Sequence, residues 1–326
     1  MSEAPVESPA SIGEKRSWAY RAAIYSTLLS ALGYLAFSLW GGWRDVVDAL
    51  GRVGLAGVSF ALGMSLLNYL LRFLRWQGYL EALGHVLAWR TSLAIYLAGF
   101  ALSATPGKIG ETIRSGLLRH HGVPYSRSLA ALLSERLSDL LAITALAAIG
   151  LGHAPQTRPV AMAGLAIILI TLFLLSQHRL VGRTLRWLDA RRGRAVELLR
   201  HALTMLLDAR RCHSPRLLIG SSVLSLAGWG AEALAFHCLL QWLGADVSPG
   251  FSVFVYAAAT LAGALSFMPG GLGGTEAVMV ALLLANGISQ ADAIAVTLVI
   301  RLATLWFAVG IGAVALSRMG AARKAG

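Results

Sequence analysis

Two short strings decide how this chain is read: Pro106-Gly107-Lys108-Ile109-Gly110-Glu111 and Pro269-Gly270-Gly271-Leu272-Gly273-Gly274-Thr275-Glu276. Each interrupts an otherwise apolar stretch, the first within Thr91–His121 and the second within Phe251–Asn286. Proline ends the limb before it, and glycine permits the tight reversal that follows. The limb Thr91–Ala104 would be about 21 Å long as a helix, and Glu276–Ala285 is shorter, against a hydrocarbon layer about 30 Å thick. Neither stretch holds two crossings. Each reads as a re-entrant hairpin returning to the side it came from.

The composition around them belongs to a membrane. Of the 326 residues 56% are apolar and 13% charged, against about 25% charged in an ordinary soluble domain. A water-soluble globule, a disordered chain and a collagen-like repeat are all excluded. The net charge of +12 is spread between long apolar runs, so it does not build a nucleic-acid surface. Cys212 and Cys238 make no disulfide framework. Residues 1–17 read as a disordered tail, and the apolar run after them lacks a signal-peptide cleavage site.

Six stretches are long enough to cross: Ala22–Trp40, Gly54–Leu71, Ser128–Leu151, Val160–Ser176, Leu217–Leu243 and Ala291–Ser317. With the N-terminus in the cytoplasm and both hairpins returning to their own side, 22 of the 28 Lys and Arg fall in cytoplasmic segments. Arg72, Arg75 and Arg114 are counted among these, while only Arg44, Arg52 and Arg158 fall outside. The positive-inside rule therefore favours six spans, two hairpins and both termini in the cytoplasm. The domain assignment is a tail over 1–17, a membrane domain over 18–318 and a second tail over 319–326. Within the membrane domain, 179–211 is a basic amphipathic segment with Val196, Leu199, Leu203, Leu206 and Leu207 at helical spacing. Anionic inner-leaflet lipid is its expected partner, with a solvated linker helix as the alternative.

The chain also repeats. Glu111, Gly122 and Arg136 recur as Glu276, Gly287 and Arg301, each 165 residues later. Three spans separate the hairpins, and an odd number of crossings makes them enter from opposite faces. The halves, about 20–152 and 158–317, thus form an inverted repeat, an architecture of many secondary transporters.

Charges inside the spans are costly and need partners or a cavity. Lys108, Arg136 and Arg301 are the basic ones, and Glu111, Glu135, Asp139, Glu232 and Glu276 the acidic ones. Arg136 and Arg301 lie near mid-span, and Glu111 and Glu276 open the second hairpin limbs, where helix dipoles favour anions. Arg136, Arg301, Glu111, Glu276 and Lys108 are the expected substrate-contacting set, suited to a phosphate. The alternative makes Glu111–Arg136 and Glu276–Arg301 permanent ion pairs. Glu135, Asp139 and Glu232 serve as a coupling group or as counter-charge. His120-His121 has no third ligand for a metal, the Gly270–Gly274 loop lacks a Gly-Lys-Ser/Thr ending, and Trp40, Trp43, Trp76 and Trp89 fit an interfacial belt.

The two Pro-Gly strings, the Glu135-Arg136-Leu137-Ser138-Asp139 segment and Arg301 resemble the lysylphosphatidylglycerol synthase transmembrane-region family, also called flippase-like domain proteins. The resemblance spans roughly Trp18–Ser317. It implies a bacterial-type inner-membrane protein that moves a phosphate-containing lipid headgroup between leaflets. Two-domain members add a cytoplasmic aminoacyltransferase; none follows here before Gly326, so a stand-alone member is expected. No enzymatic activity and no cofactor is expected. The competing reading is a non-transporting subunit that scaffolds an envelope-lipid enzyme. A transporter needs a hydrated cavity joining both hairpin tips, whereas a scaffold has a filled centre.

Overall fold

The computed structural model describes residues 43–103, 109–149, 178–188, 193–266 and 268–322, with isolated helical positions at 162, 166 and 170. Every regular element among the described residues is helical. The expected spans Ala22–Trp40 and Val160–Ser176 lie outside the described residues or touch them at single positions only. So do Pro106, Gly107 and Lys108 and the Glu111 side chain.

The first described helix, α1, runs from Trp43 to Ala82 and kinks at Gly54, whose φ of 59° suits a residue without a Cβ. It continues eleven residues past the expected end at Leu71, because Phe73, Trp76, Tyr79 and Leu80 keep an apolar face that packs inside the protein. Arg72 and Arg75 are therefore helix residues, not loop residues as their charge suggested, and Arg75 is 1% exposed.

The first broken unit follows. Helix α2 (Trp89–Ala98) tightens into a 3-10 turn at Gly99–Leu102, and helix α3 (Ile109–Arg119) starts after the Pro-Gly string. Helix α4 (Tyr125–Ile149) comes next. The second half repeats the order with α7 (Pro215–Trp242), α8 (Pro249–Leu265), a short turn at Pro269–Gly271, and α9 (Gly274–Ala285). Helix α10 (Gln290–Arg301) then passes through a π-helical turn, Leu302–Trp306, into α11 (Phe307–Ala322). Between the halves lie α5 (His178–Leu188) and α6 (Arg194–Arg211) in the basic segment.

The repeat is visible in the turns. After α3, Val123 N donates to Leu118 O (3.2 Å), and after α9, Ile288 N donates to Leu283 O (3.1 Å). Gly122 and Gly287 supply the positive φ, 79° and 81°, that both caps need. The Ser248 hydroxyl accepts from Phe251 N at 3.2 Å to start α8, and Ser289 does the same for Asp292 N at 3.1 Å in α10.

Among the described residues three helices are long and apolar enough to cross a membrane: α1, α7 and the continuous run Gln290–Met319. Helix α4 has 25 residues but carries Arg127, Glu135, Arg136 and Asp139. Among the described residues two large apolar cores form, one around each broken unit, and a small third one joins Ile143, Leu146 and Ala147 of α4 to Ala257 and Leu261 of α8. Phe236, Phe254, Met279 and Ile294 belong to the core of the second, and Phe73, Trp76, Tyr96 and Leu118 to that of the first. Helix α1 joins both, giving residues from Val46 to Ala61 to one and from Tyr69 to Leu80 to the other. The interior between them is polar.

Candidate functional site

A cavity of about 500 Å³ opens where the two cores meet. Both broken units reach it, the first through Gly99–Ser103 and Arg114, the second through Gly263, Gly270, Gly271 and Thr275. The long helices contribute Arg72, Arg136, Trp229, Glu232 and Arg301.

Arg301 is held on two sides. Its Nε donates to Glu276 Oε1 at 2.6 Å and its Nη2 to the Gly270 carbonyl at 2.8 Å. The pair expected from the repeat thus forms in the second half, and it ties α10 to both the break and the start of α9. Glu276 lies in the first turn of that helix, where a carboxylate also complements the dipole. The counterpart pairing of Glu111 with Arg136 involves a side chain outside the described residues.

In the first half the described hairpin-to-span pair has the opposite polarity. Arg114 on α3 bonds Glu135 on α4, and its guanidinium stacks 5.3 Å from the centroids of Trp76 and Tyr96. Arg114, Arg119 and Arg127 made this stretch read as a cytoplasmic loop; in the structure Arg114 is 7% exposed. The amphipathic spacing of Ile113, Leu117 and Leu118 around it was the available signal.

Asp139 is the hub of the remaining charge. It takes Arg75 Nη1 at 2.7 Å, Arg72 Nη2 at 3.5 Å and Arg136 Nη1 at 3.7 Å, and Trp229 Nε1 donates to it at 3.0 Å. Arg72 also lies 5.4 Å over the Trp229 ring. Buried ion pairs persist only when such bonds compensate desolvation, and three cations sharing one carboxylate do so while keeping excess positive charge. Arg75 leads from this hub to Ser225. Tyr79 OH lies 2.6 Å from Ser138 Oγ and Ser138 Oγ donates to Ser221 at 3.5 Å, continuing a polar seam between α1, α4 and α7.

Glu232 lines the same cavity as Arg72 and Arg301 and bonds a tyrosine. It is 3% exposed, and its Oε2 accepts the Tyr256 hydroxyl. The π-helical turn completes the wall. Such a turn frees carbonyls from the regular ladder, and Tyr69 OH donates to that of Thr304 and reaches that of Ala303 at 3.4 Å. Arg72, Arg75, Arg114, Tyr69, Trp229 and Tyr256 were not legible as site residues in the sequence. Arg72 and Arg75, three apart on a continuing apolar helix, and Arg114, within its amphipathic spacing, carried a usable pattern.

Helical broken units around a buried, charged cavity define an all-α membrane protein with an internal polar site. The profile of the lysylphosphatidylglycerol synthase transmembrane region matches residues 21–312, and the chain belongs to that family. It is 24% identical over 309 residues to a UPF0104 membrane protein of Methanothermobacter thermautotrophicus, covering 89% of this chain and 91% of that one. A UPF0104 membrane protein of Pyrococcus horikoshii is 22% identical over 307 residues, with 84% and 90% covered.

Proposed function

We propose that this protein carries a phosphate-containing lipid headgroup between the leaflets of the cell membrane, using the central cavity as its binding site. The observation that supports it is the cavity itself, lined at once by residues from both broken units and by four arginines. A headgroup entering bare hydrocarbon loses its hydration, and a path lined with guanidinium groups restores that interaction. Acyl chains stay in the lipid throughout.

In this reading the two broken units are re-entrant hairpins from opposite faces, among six full spans with both termini in the cytoplasm. Their tips reach one midplane site, accessible in turn from each side. The segment around α5 and α6 rests on anionic inner-leaflet lipid through Arg183, Arg186, Arg210 and Arg211, all exposed, with Trp187 (54% exposed) and Leu198 (72% exposed) at the interface. The protein acts as a carrier and not as an enzyme.

The test is leaflet exchange in proteoliposomes with a panel of labelled envelope phospholipids. Faster exchange than in empty vesicles, lowered by Arg136→Gln, is the expected result. No exchange for any lipid, together with stoichiometric co-purification of an envelope-lipid enzyme, would replace transport with the scaffolding role.

A further inference from the structure

Three buried carboxyls, Glu135, Asp139 and Glu232, are open to a coupling role on sequence alone, and their partners separate them. Glu135 is bonded by Arg114, and Asp139 takes Arg75 at 2.7 Å with Arg72 and Arg136 at 3.5 and 3.7 Å. A fourth, Glu276, is tied to Arg301 at 2.6 Å. A carboxylate held by a guanidinium already has its counter-charge, so a proton has no charge left to neutralise there. Glu232 differs. It is 3% exposed, it lines the cavity, and its Oε2 accepts a hydrogen bond from the neutral Tyr256 hydroxyl, with no cation at ion-pair distance among the described residues. A buried carboxyl without a counter-cation is a group whose charge a proton removes.

Every helix packed against α7 brings a charged or titratable group toward it. Helix α1 gives Tyr69 and Arg72 to the cavity, α4 gives Arg136 with its partner Asp139, α8 gives Tyr256 and α10 gives Arg301. Each of these arginines is bonded to a carboxylate other than Glu232. On α7 itself, His237 is engaged by Ser252, with Nδ1 3.0 Å from Oγ.

The cavity links this carboxyl to any anion that enters. A sphere of about 500 Å³ is about 10 Å across, so a charge bound inside lies within about a Debye length of Glu232, where salt screens little. Two negative charges in that space oppose one another, and a proton on Glu232 removes the opposition. Proton and anion therefore bind cooperatively. A metal cation suits the place less well: hard cations take about six oxygen ligands, whereas among the described residues the Tyr256 hydroxyl is the one oxygen bonded to Glu232.

We propose that Glu232 is the site of a co-transported proton, taken up as the anionic headgroup enters the cavity and given up with the headgroup on the other side. This rests on the headgroup-carrier reading and names what drives it. Proton and monoanion cross together without net charge, so a pH gradient supplies the driving force.

The probe is short-chain phosphatidylglycerol, whose phosphodiester takes up no proton itself in the range used, bound to the purified full chain in detergent. Titration calorimetry in buffers of different ionisation enthalpy counts the protons. Binding should tighten about tenfold or more from about pH 8 to about pH 5.5, with uptake of up to about one proton per lipid. Glu232→Gln keeps the shape of the neutral acid and should bind the lipid equally at both pH values, with no proton uptake. Tyr256→Phe retains the carboxyl, should keep the uptake with a moved midpoint, and covers a folding failure of the first variant. In proteoliposomes a pH gradient should drive net movement of the labelled lipid toward the alkaline side. Uptake that persists in a folded Glu232→Gln protein, or a midpoint unmoved by Tyr256→Phe, overturns the proposal. Movement that follows a sodium gradient and ignores pH overturns it as well. Leaflet exchange with pH-independent, uptake-free binding overturns the coupling and leaves transport standing. Proton-linked binding without any leaflet exchange overturns transport and leaves the linkage at Glu232 standing.

Discussion

Gly312 of α11 and Ala101 of the 3-10 turn meet backbone against backbone: a Cβ at Gly312 would stand 2.2 Å from Ala101 N and 2.6 Å from the Phe100 carbonyl carbon. That contact seats the turn which forms one wall of the cavity. Gly312→Ala should displace it, cost about 1–3 kcal/mol by overpacking, and lower headgroup binding. Gly310→Ala, two residues away with nothing within 4 Å of its Cβ, should leave both unchanged. Thermal unfolding in detergent and a binding titration compare the pair.

Arg136 and Arg301 should respond differently to the same change. The Arg301 side chain is 11% exposed and tied to Glu276, so Arg301→Gln removes the cation of a buried ion pair and should cost about 3–5 kcal/mol. Adding Glu276→Gln should recover most of that stability without restoring exchange. The Arg136 side chain is 37% exposed toward the cavity, so Arg136→Gln should leave the melting temperature within a few degrees and still slow leaflet exchange. If the double variant at 276 and 301 regains full exchange, that pair is structural only.

Acid should loosen the turns at the ends of α1 and α6. Burial, then the Arg127 guanidinium donating to its Nε2 at 2.9 Å, holds His85 below the ordinary histidine range, with Asp208 opposing. Burial does the same to His213, whose Nδ1 lies 2.7 Å from the Ala209 carbonyl oxygen. The unfolded chain then takes up these protons first, so their contribution is complete above the unfolded histidine pKa of about 6.5 and declines as pH falls toward the lower folded values. The melting temperature should drop between pH 7.5 and 5.5, and His85→Gln should remove part of the drop.

Sidedness is open to direct labelling. Single cysteines placed in a background without Cys212 and Cys238 should react with an impermeant reagent from outside when they lie between Gly244 and Pro249, and be protected near Arg192. Outside labelling near Arg192 would invert the proposed topology.

Membrane class and the places where helices break were legible in the sequence, because both are local. Apolar run length sets whether a helix is long enough to cross, and Pro-Gly punctuation marks where helices break, whatever they pack against. The expected ends of α7 and of the α10–α11 run lie within a few residues of those observed, and the Gly122 and Gly287 caps match. The Glu276–Arg301 pair was legible for the same reason, since the two sit on consecutive elements joined by a short turn.

Which charges share a site was decided only by tertiary structure. Arg72, Arg114 and Asp139 lie on three elements separated by up to 67 residues, and local composition marks the first two as loop cations. Burial reverses that assignment: once α1 packs on α7, water can no longer solvate the guanidinium groups, and each must find a carboxylate or an aromatic face. Glu232 acquires its partner in the same way, because Tyr256 and not an arginine arrives beside it. Sequence determines which groups are costly to bury, and packing determines which of them meet.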